Sequence, residues 1–93
     1  MADSVRVTTA GGNYVKPAPV TVGHYMIRTD GTNNASFKAY DGTITDANIC
    51  WEDACVGADL AKAGVAKFGI GIAGSDLTIV PAGTGGAFYF KFE

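Results

Sequence analysis

Leucine and methionine, apolar residues that have no branch at Cβ and favour helices, are scarce in this sequence. The 93 residues include two Leu and two Met, against eight Val, six Ile and nine Thr. β-Branched side chains lose rotamer freedom in a helix and pack well on a pleated surface. Thirteen Gly supply turns. The composition therefore predicts an all-β protein, and the length is that of one domain.

A large excess of charge of one sign is also missing. Seven basic and nine acidic residues give a formal net charge of −2, and the five Lys are spaced singly along the chain. The sequence has neither a basic stripe for phosphates nor a polybasic cluster for anionic membranes, so we expect no nucleic-acid and no membrane partner. No apolar signal segment follows the first residues and no run approaches the length of a membrane span, which predicts folding in a cytoplasm.

Residues that carry catalysis or bind metals are few. His24 is the only histidine, and no serine stands in the sequence context of a nucleophile elbow. Cys50 and Cys55 are expected to be reduced thiols, with a disulfide or half of a metal site as the alternative. Residues 69–74 spell G-x-G-x-x-G, but too little chain follows for a crossover helix. We therefore expect no catalytic residue, no metal and no cofactor, in a protein that is not an enzyme.

Short alternating segments separated by turn residues predict seven or eight strands in a small antiparallel β-sandwich. The predicted strands are residues 4–9, 20–29 with a bulge at Gly23, 35–40, 48–56, 65–72, 76–80 and 87–93. One helical turn is predicted at 58–63, with Gly64 at its C-cap. Pro81 is predicted to end the strand over 76–80. The predicted core is Val5, Val7, Ile27, Phe37, Ile49, Phe68, Ile70, Leu77, Ile79, Phe88 and Phe90.

The loop that follows the second long strand determines a strand register. A two-residue turn would place apolar residues opposite polar ones, whereas a five-residue loop over 30–34 pairs Ile27 with Phe37 and Tyr25 with Ala39. The register that keeps one face apolar is favoured. We therefore expect the two flanking strands to form a hairpin with the longer loop.

The N-terminal segment, residues 1–19, is predicted to be a strand followed by an extended arm, ahead of a sandwich over 20–93. Pro17 and Pro19 remove backbone donors and favour an extended path, as in an arm or an edge segment. An arm with unpaired backbone groups over 10–19 is suited to β-augmentation. The residues predicted to bind a partner there are Tyr14, Val15, Pro17 and Pro19.

Trp51 is the only tryptophan, and two interpretations of it stay open. It is either a half-buried core anchor or a partner-binding residue at an interface or under a sugar ring. The adjoining acids, Glu52 and Asp53, indicate that this segment reaches the surface. In the second interpretation Trp51, Tyr25 and Tyr40 offer a stacking platform for a glycan.

Three Gly-rich and aromatic segments resemble small virion proteins of tailed bacteriophages, which are short β-sandwich or jelly-roll proteins. The segments are residues 40–42 (YDG), 68–79 (FGIGIAGSDLTI) and 83–90 (GTGGAFYF). Residues 49–55 depart from that pattern because they carry Trp, Glu, Asp and two Cys. The resemblance implies a jelly-roll-like sandwich and a structural role, usually in symmetric homo-oligomers, for which we favour a trimer.

The leading hypothesis from this resemblance is a capsid decoration (cement) protein. It would stabilise a phage head through contacts with the major capsid protein or another virion protein, and with copies of itself. Its location would be the virion, after synthesis in the host cytoplasm. The alternative is a carbohydrate-binding or fibre/tail module that recognises a surface glycan.

Overall fold

Two four-stranded antiparallel sheets make up the fold. The structure is a computed structural model that describes residues 3–17, 22–65 and 76–92. The strands are β1 (Asp3–Thr8), β2 (Tyr14–Lys16), β3 (Val22–Arg28), β4 (Ala35–Asp41), β5 (Ile49–Cys55), β6 (Ala61–Val65), β7 (Leu77–Ala82) and β8 (Ala87–Phe92). Sheet A has the order β1-β8-β3-β6 and sheet B the order β2-β7-β4-β5. The prediction of an all-β, sandwich-like protein is confirmed.

The core lies between the two sheets. Its largest fully buried side chains are Phe37, Phe88, Phe90, Ile27, Leu77 and Ile79. All six were predicted core residues, as was Val7, which is also buried, and Val5 packs against them from β1. The prediction for Ile49 is wrong: it is half-buried and outside the core, because a bulge at Cys50 shifts the alternation of β5. Phe68 and Ile70 lie outside the described residues.

The predicted hairpin between the strands that flank residues 30–34 is wrong. β3 belongs to sheet A, where it pairs with β6 and β8, and β4 belongs to sheet B. The loop therefore crosses from one sheet to the other. Ile27 and Phe37 are both buried, but they face each other across the core instead of lying side by side. An apolar alternation specifies which face of a strand is covered, and it does not specify the neighbouring strand.

Two further local predictions are corrected. The helical turn expected at 58–63 is instead a single 3₁₀ turn, Gly57–Asp59, followed by β6, which contains Gly64. Six residues are too few for a stable helix, and pairing with β3 satisfies the backbone of β6. β7 continues through Pro81, because β2 pairs with β7 only as far as Ile79 and leaves one side of β7 open beyond it.

The bulge predicted at Gly23 is confirmed. The register between β3 and β8 shifts between Val22 and His24, so Gly23 is the extra residue. The strand predicted over 65–72 and the G-x-G-x-x-G segment lie almost entirely outside the described residues, and only Val65 of them belongs to a described strand.

Candidate binding surfaces

The segment predicted to be an unpaired arm contains β2, an edge strand of sheet B. Tyr14–Lys16 pairs with β7, so the expectation of unpaired backbone groups is wrong for these three residues, whereas the edge position agrees with the sequence. The ring of Tyr14 stacks on Phe92 of the opposite sheet, with 6.4 Å between ring centroids. Tyr14 is thereby fixed to the core.

Val15 points the other way from Tyr14 and is 49% exposed. On the side of β2 away from β7, no other strand of the described chain pairs with it. Pro17 is exposed directly after the strand, and Pro19 lies outside the described residues. The open edge with Val15, together with Pro17 directly after it, is therefore the part of the predicted partner-binding set that the structure leaves accessible.

Trp51 is a core anchor in this structure. Its ring centroid lies 4.7 Å from that of Phe37, 4.8 Å from that of Tyr25 and 5.5 Å from that of Phe90, all in edge-to-face arrangements. Such pairs contribute about 0.5–1.5 kcal/mol each beyond area burial. Tyr40 is buried and does not belong to this cluster. The three aromatic residues considered for a glycan platform are therefore not brought together on the surface.

A polar bridge joins the two sheets where β3 and β6 face β5. The hydroxyl of Tyr25 donates to Oδ2 of Asp53 at 2.5 Å, and Nζ of Lys62 donates to Oδ1 at 2.6 Å. Asp53 points inward from an edge strand, and inward charges of this kind discourage edge-to-edge aggregation. No sequence pattern indicates this bridge, because its three members come from three different strands.

The bridge shifts the pKa of both of its acidic groups. Burial raises the pKa of Tyr25 to about 12, and the hydrogen bond to Asp53 adds to the effect. Burial also acts to raise the pKa of Asp53, but the hydrogen bonds from Lys62 and Tyr25 outweigh it and hold the pKa below its usual value. The bridge is therefore complete when Tyr25 is protonated and Asp53 is ionised.

Gly64 makes room for this arrangement. It lies directly opposite Tyr25 across the β3–β6 pair, and a Cβ atom there would lie 2.6 Å from Cζ of the phenol ring. The ring therefore occupies the space that a side chain at position 64 would fill. This close approach, and not a helix C-cap, accounts for the glycine.

The outer face of sheet A collects basic side chains that are far apart in the sequence. We call it the cationic face, and it comprises Arg6, His24, Met26, Arg28, Tyr89 and Lys91. Arg6, Tyr89 and Met26 lie side by side across β1, β8 and β3, and His24 lies directly opposite Lys91. Among the residues of this sheet whose side chains the structure describes, none that points outward is Asp or Glu.

A shallow groove of about 480 Å³ runs over the centre of the cationic face, with Met26 and Tyr89 among its lining residues. Nε of Arg6 donates to the hydroxyl of Tyr89 at 3.1 Å, and the guanidinium lies 5.8 Å from the centroid of the same ring. Arg6 is therefore held against the surface. These basic side chains are spaced singly along the sequence and become neighbours only through the pairing of β8 with β1 and β3.

Backbone contacts join the loops at one end of the sandwich. Gly57 donates its N–H to Oδ1 of Asn34, and Gly83, at φ +97°, lies against the backbone oxygen of Asn34. Asp30 Oδ1 accepts from the N–H groups of Thr32 and Asn33, and these hydrogen bonds lower its pKa. This end is a set of tight turns.

The cysteines are both free thiols, as the default interpretation expected. Burial raises the pKa of Cys50, so its thiol is less reactive than an exposed one. Within residues 3–17, 22–65 and 76–92, no group of three His, Cys, Asp or Glu side chains is placed to hold a metal ion. The same residues contain no helix long and apolar enough to span a membrane.

Comparison with known protein families, with characterised proteins and with solved structures finds no match to this chain.

Proposed function

We propose that this chain is a structural protein of a tailed-phage virion, and that it acts as a capsid decoration protein through protein–protein contacts without catalysis. The observation that carries the proposal is the strand order. β1 pairs with β8, β2 with β7, β3 with β6 and β4 with β5. This pairing is compatible with one long antiparallel ribbon rolled into two sheets, and it supports the proposed jelly roll, an arrangement that occurs in viral capsid and lectin domains.

The edge of β2 is the proposed contact with the capsid. An edge strand presents unpaired N–H and C=O groups to which a strand of another chain can add. Val15, 49% exposed, would enter a pocket of the partner, while Tyr14 holds the strand in place through its stacking on Phe92. The domain would thereby add buried area between capsid subunits, and self-association into a trimer would multiply that contact.

Co-sedimentation tests the proposal. The purified chain is mixed with capsids assembled from the major capsid protein encoded in the same genome, and its mass in solution is measured by light scattering. We expect saturable binding at a fixed ratio of copies to capsid protein. Absence of binding at saturating concentration would overturn the proposed function, and a monomeric mass would overturn the trimer.

A matched pair of substitutions tests the contact. Val15→Asp should reduce capsid binding at least tenfold, because it places a charge in the contact. Ile44→Asp is the control, since Ile44 is equally exposed but lies in the loop between β4 and β5. Equal binding by the two variants would exclude the β2 edge. Deletion of residues 1–19 is a poor test, because it removes β1 from sheet A and β2 from sheet B.

No particular observation favours the glycan-binding alternative. Its platform needed Trp51, Tyr25 and Tyr40 on one surface, whereas the first two are partly buried and pack edge-to-face against the core, and Tyr40 is buried elsewhere.

A further inference from the structure

We infer that the cationic face docks onto an acidic surface of another protein. The face contains both arginines and the only histidine of a chain whose net charge is negative. Arg6, Arg28 and Lys91 all lie on this face, and no carboxylate is directly opposite any of them across the pairs that β8 forms with β1 and β3. On the outer face of sheet B, by contrast, Lys38 lies opposite Glu52. The cations on the outer face of sheet A thus lack the opposite-charge neighbour that Lys38 has on the outer face of sheet B.

The composition of the face matches a protein interface. Arg, Tyr and Met are enriched at such interfaces, and Tyr and Arg supply many of the residues that dominate binding energy. Tyr89 and Met26 form the centre of the face, and the exposed cations surround them. The hydrogen bond between Arg6 and Tyr89 fixes both side chains before binding, which reduces the entropy lost on association.

A nucleic acid fits this face less well. A phosphate chain is charged along its whole length and would run past both ends of sheet A. Acidic residues lie near one of those ends: Asp30 follows β3, and Asp59 lies in the 3₁₀ turn that precedes β6. They would repel a continuous polyanion, whereas a bounded acidic patch on a protein would meet only the cations.

The choice of partner rests on the proposed function, whereas the face itself is defined by its charge. In a virion the acidic surface would belong to a neighbouring structural protein. The cationic face and the β2 edge lie on different sheets. One domain could therefore contact two neighbours at the same time.

A titration with defined polyanions tests the inference. Poly-L-glutamate and an oligothymidylate of equal charge are added separately to the ¹⁵N-labelled chain, and amide shifts are followed by NMR. We expect poly-L-glutamate to shift the amide signals of β1, β3 and β8 and to bind more tightly than the oligonucleotide. The triple variant Arg6→Gln, Arg28→Gln, Lys91→Gln should bind at least tenfold more weakly. Lys38→Gln, which removes one cation from sheet B, should bind as the unmodified chain does.

Each outcome decides the inference. The inference is overturned if the triple variant binds poly-L-glutamate as tightly as the unmodified chain, or if Lys38→Gln loses as much affinity as the triple variant. If the triple variant does not fold, Arg28→Gln alone takes its place. Tighter binding of the oligonucleotide would assign the face to nucleic acid instead. Shifts on the face caused by a second unlabelled copy would assign it to self-association. Binding of poly-L-glutamate without binding to capsids would refute the proposed function, but it would still support the cationic face as a docking site for an acidic protein surface.

Discussion

Replacement of Tyr25 by Phe removes a single hydroxyl from the bridge between the sheets and keeps the ring. Asp53 then loses the donor at 2.5 Å and retains Lys62. A hydrogen bond to a charged group contributes about 1.5–3 kcal/mol. The Asp53 side chain is 16% exposed and remains paired with Lys62, and both facts reduce the loss. We therefore expect about 1–2 kcal/mol of destabilisation at neutral pH. The total stability of a domain this size is roughly 5–14 kcal/mol.

The pH dependence of Tyr25→Phe gives the sharper result. Burial and Asp53 raise the pKa of Tyr25 to about 12 in the folded state, from 10.0. A raised pKa stabilises the fold fully below pH 10, and that contribution is lost as the pH rises from 10 towards 12. Two units correspond to about 2.7 kcal/mol, which solvent screening at this partly accessible site reduces to about 1 kcal/mol. The stabilities of the two proteins should therefore converge above pH 10.

Urea unfolding measures this difference. Trp51, whose ring is 4.8 Å from that of Tyr25, reports the transition by its fluorescence. Tyr89→Phe is the matched control, because its hydroxyl accepts from an exposed arginine on the outer face, and it should change stability by less than about 0.5 kcal/mol. If Tyr25→Phe and the unmodified chain stay parallel from pH 7 to pH 12, the bridge does not hold the sheets together as described.

Three further substitutions have defined outcomes. Gly64→Ala should lower the free energy of unfolding in urea by about 1–3 kcal/mol, because the added Cβ displaces the Tyr25 phenol from Asp53. The loss of stability above pH 10 should then disappear, and a variant that keeps this pH dependence would contradict the prediction. Gly83→Ala should cost about 2–3 kcal/mol in thermal unfolding, since φ is +97° and the backbone of Asn34 blocks the added Cβ; a neutral result would refute the contact. Asp30→Ala should speed amide exchange in its loop and leave global unfolding nearly unchanged, and the native loop should loosen as the pH falls through the lowered pKa of Asp30.

Faces were predictable from the sequence, and strand neighbours were not. Alternation placed Val7, Ile27, Phe37 and Phe88 in the core, and all four are buried. Alternation contains no information about which covered strand lies beside which, since a sandwich satisfies the same pattern with many strand orders. The predicted hairpin after β3 failed for that reason, whereas the Gly23 bulge depended on one local residue and is confirmed.

The candidate surfaces were harder to predict than the core. The edge position of Val15 was predictable, because neighbouring prolines indicate an edge segment. The cationic face could not, because Arg6 and Lys91 are separated by nearly the whole chain and become neighbours only through the β1–β8 pairing. Trp51 stayed ambiguous because its acidic neighbours indicated the surface, and Asp53 in fact points inward to Tyr25.

The position of β8 between β1 and β3 determines when this protein can fold. Among the described strands only β4 and β5 are joined by a short connection within one sheet, and every other pairing closes a longer stretch of chain. Pairing of this kind is slow, because loop entropy is lost before contacts are gained. During synthesis, β1 lacks its pairing partner, and β3 lacks one of its two, until Ala87–Phe92 has been made. Within sheet A, β1 is connected to the β3–β6 pair only through β8, so an intermediate that lacks β8 exposes unpaired strand edges and is prone to aggregation.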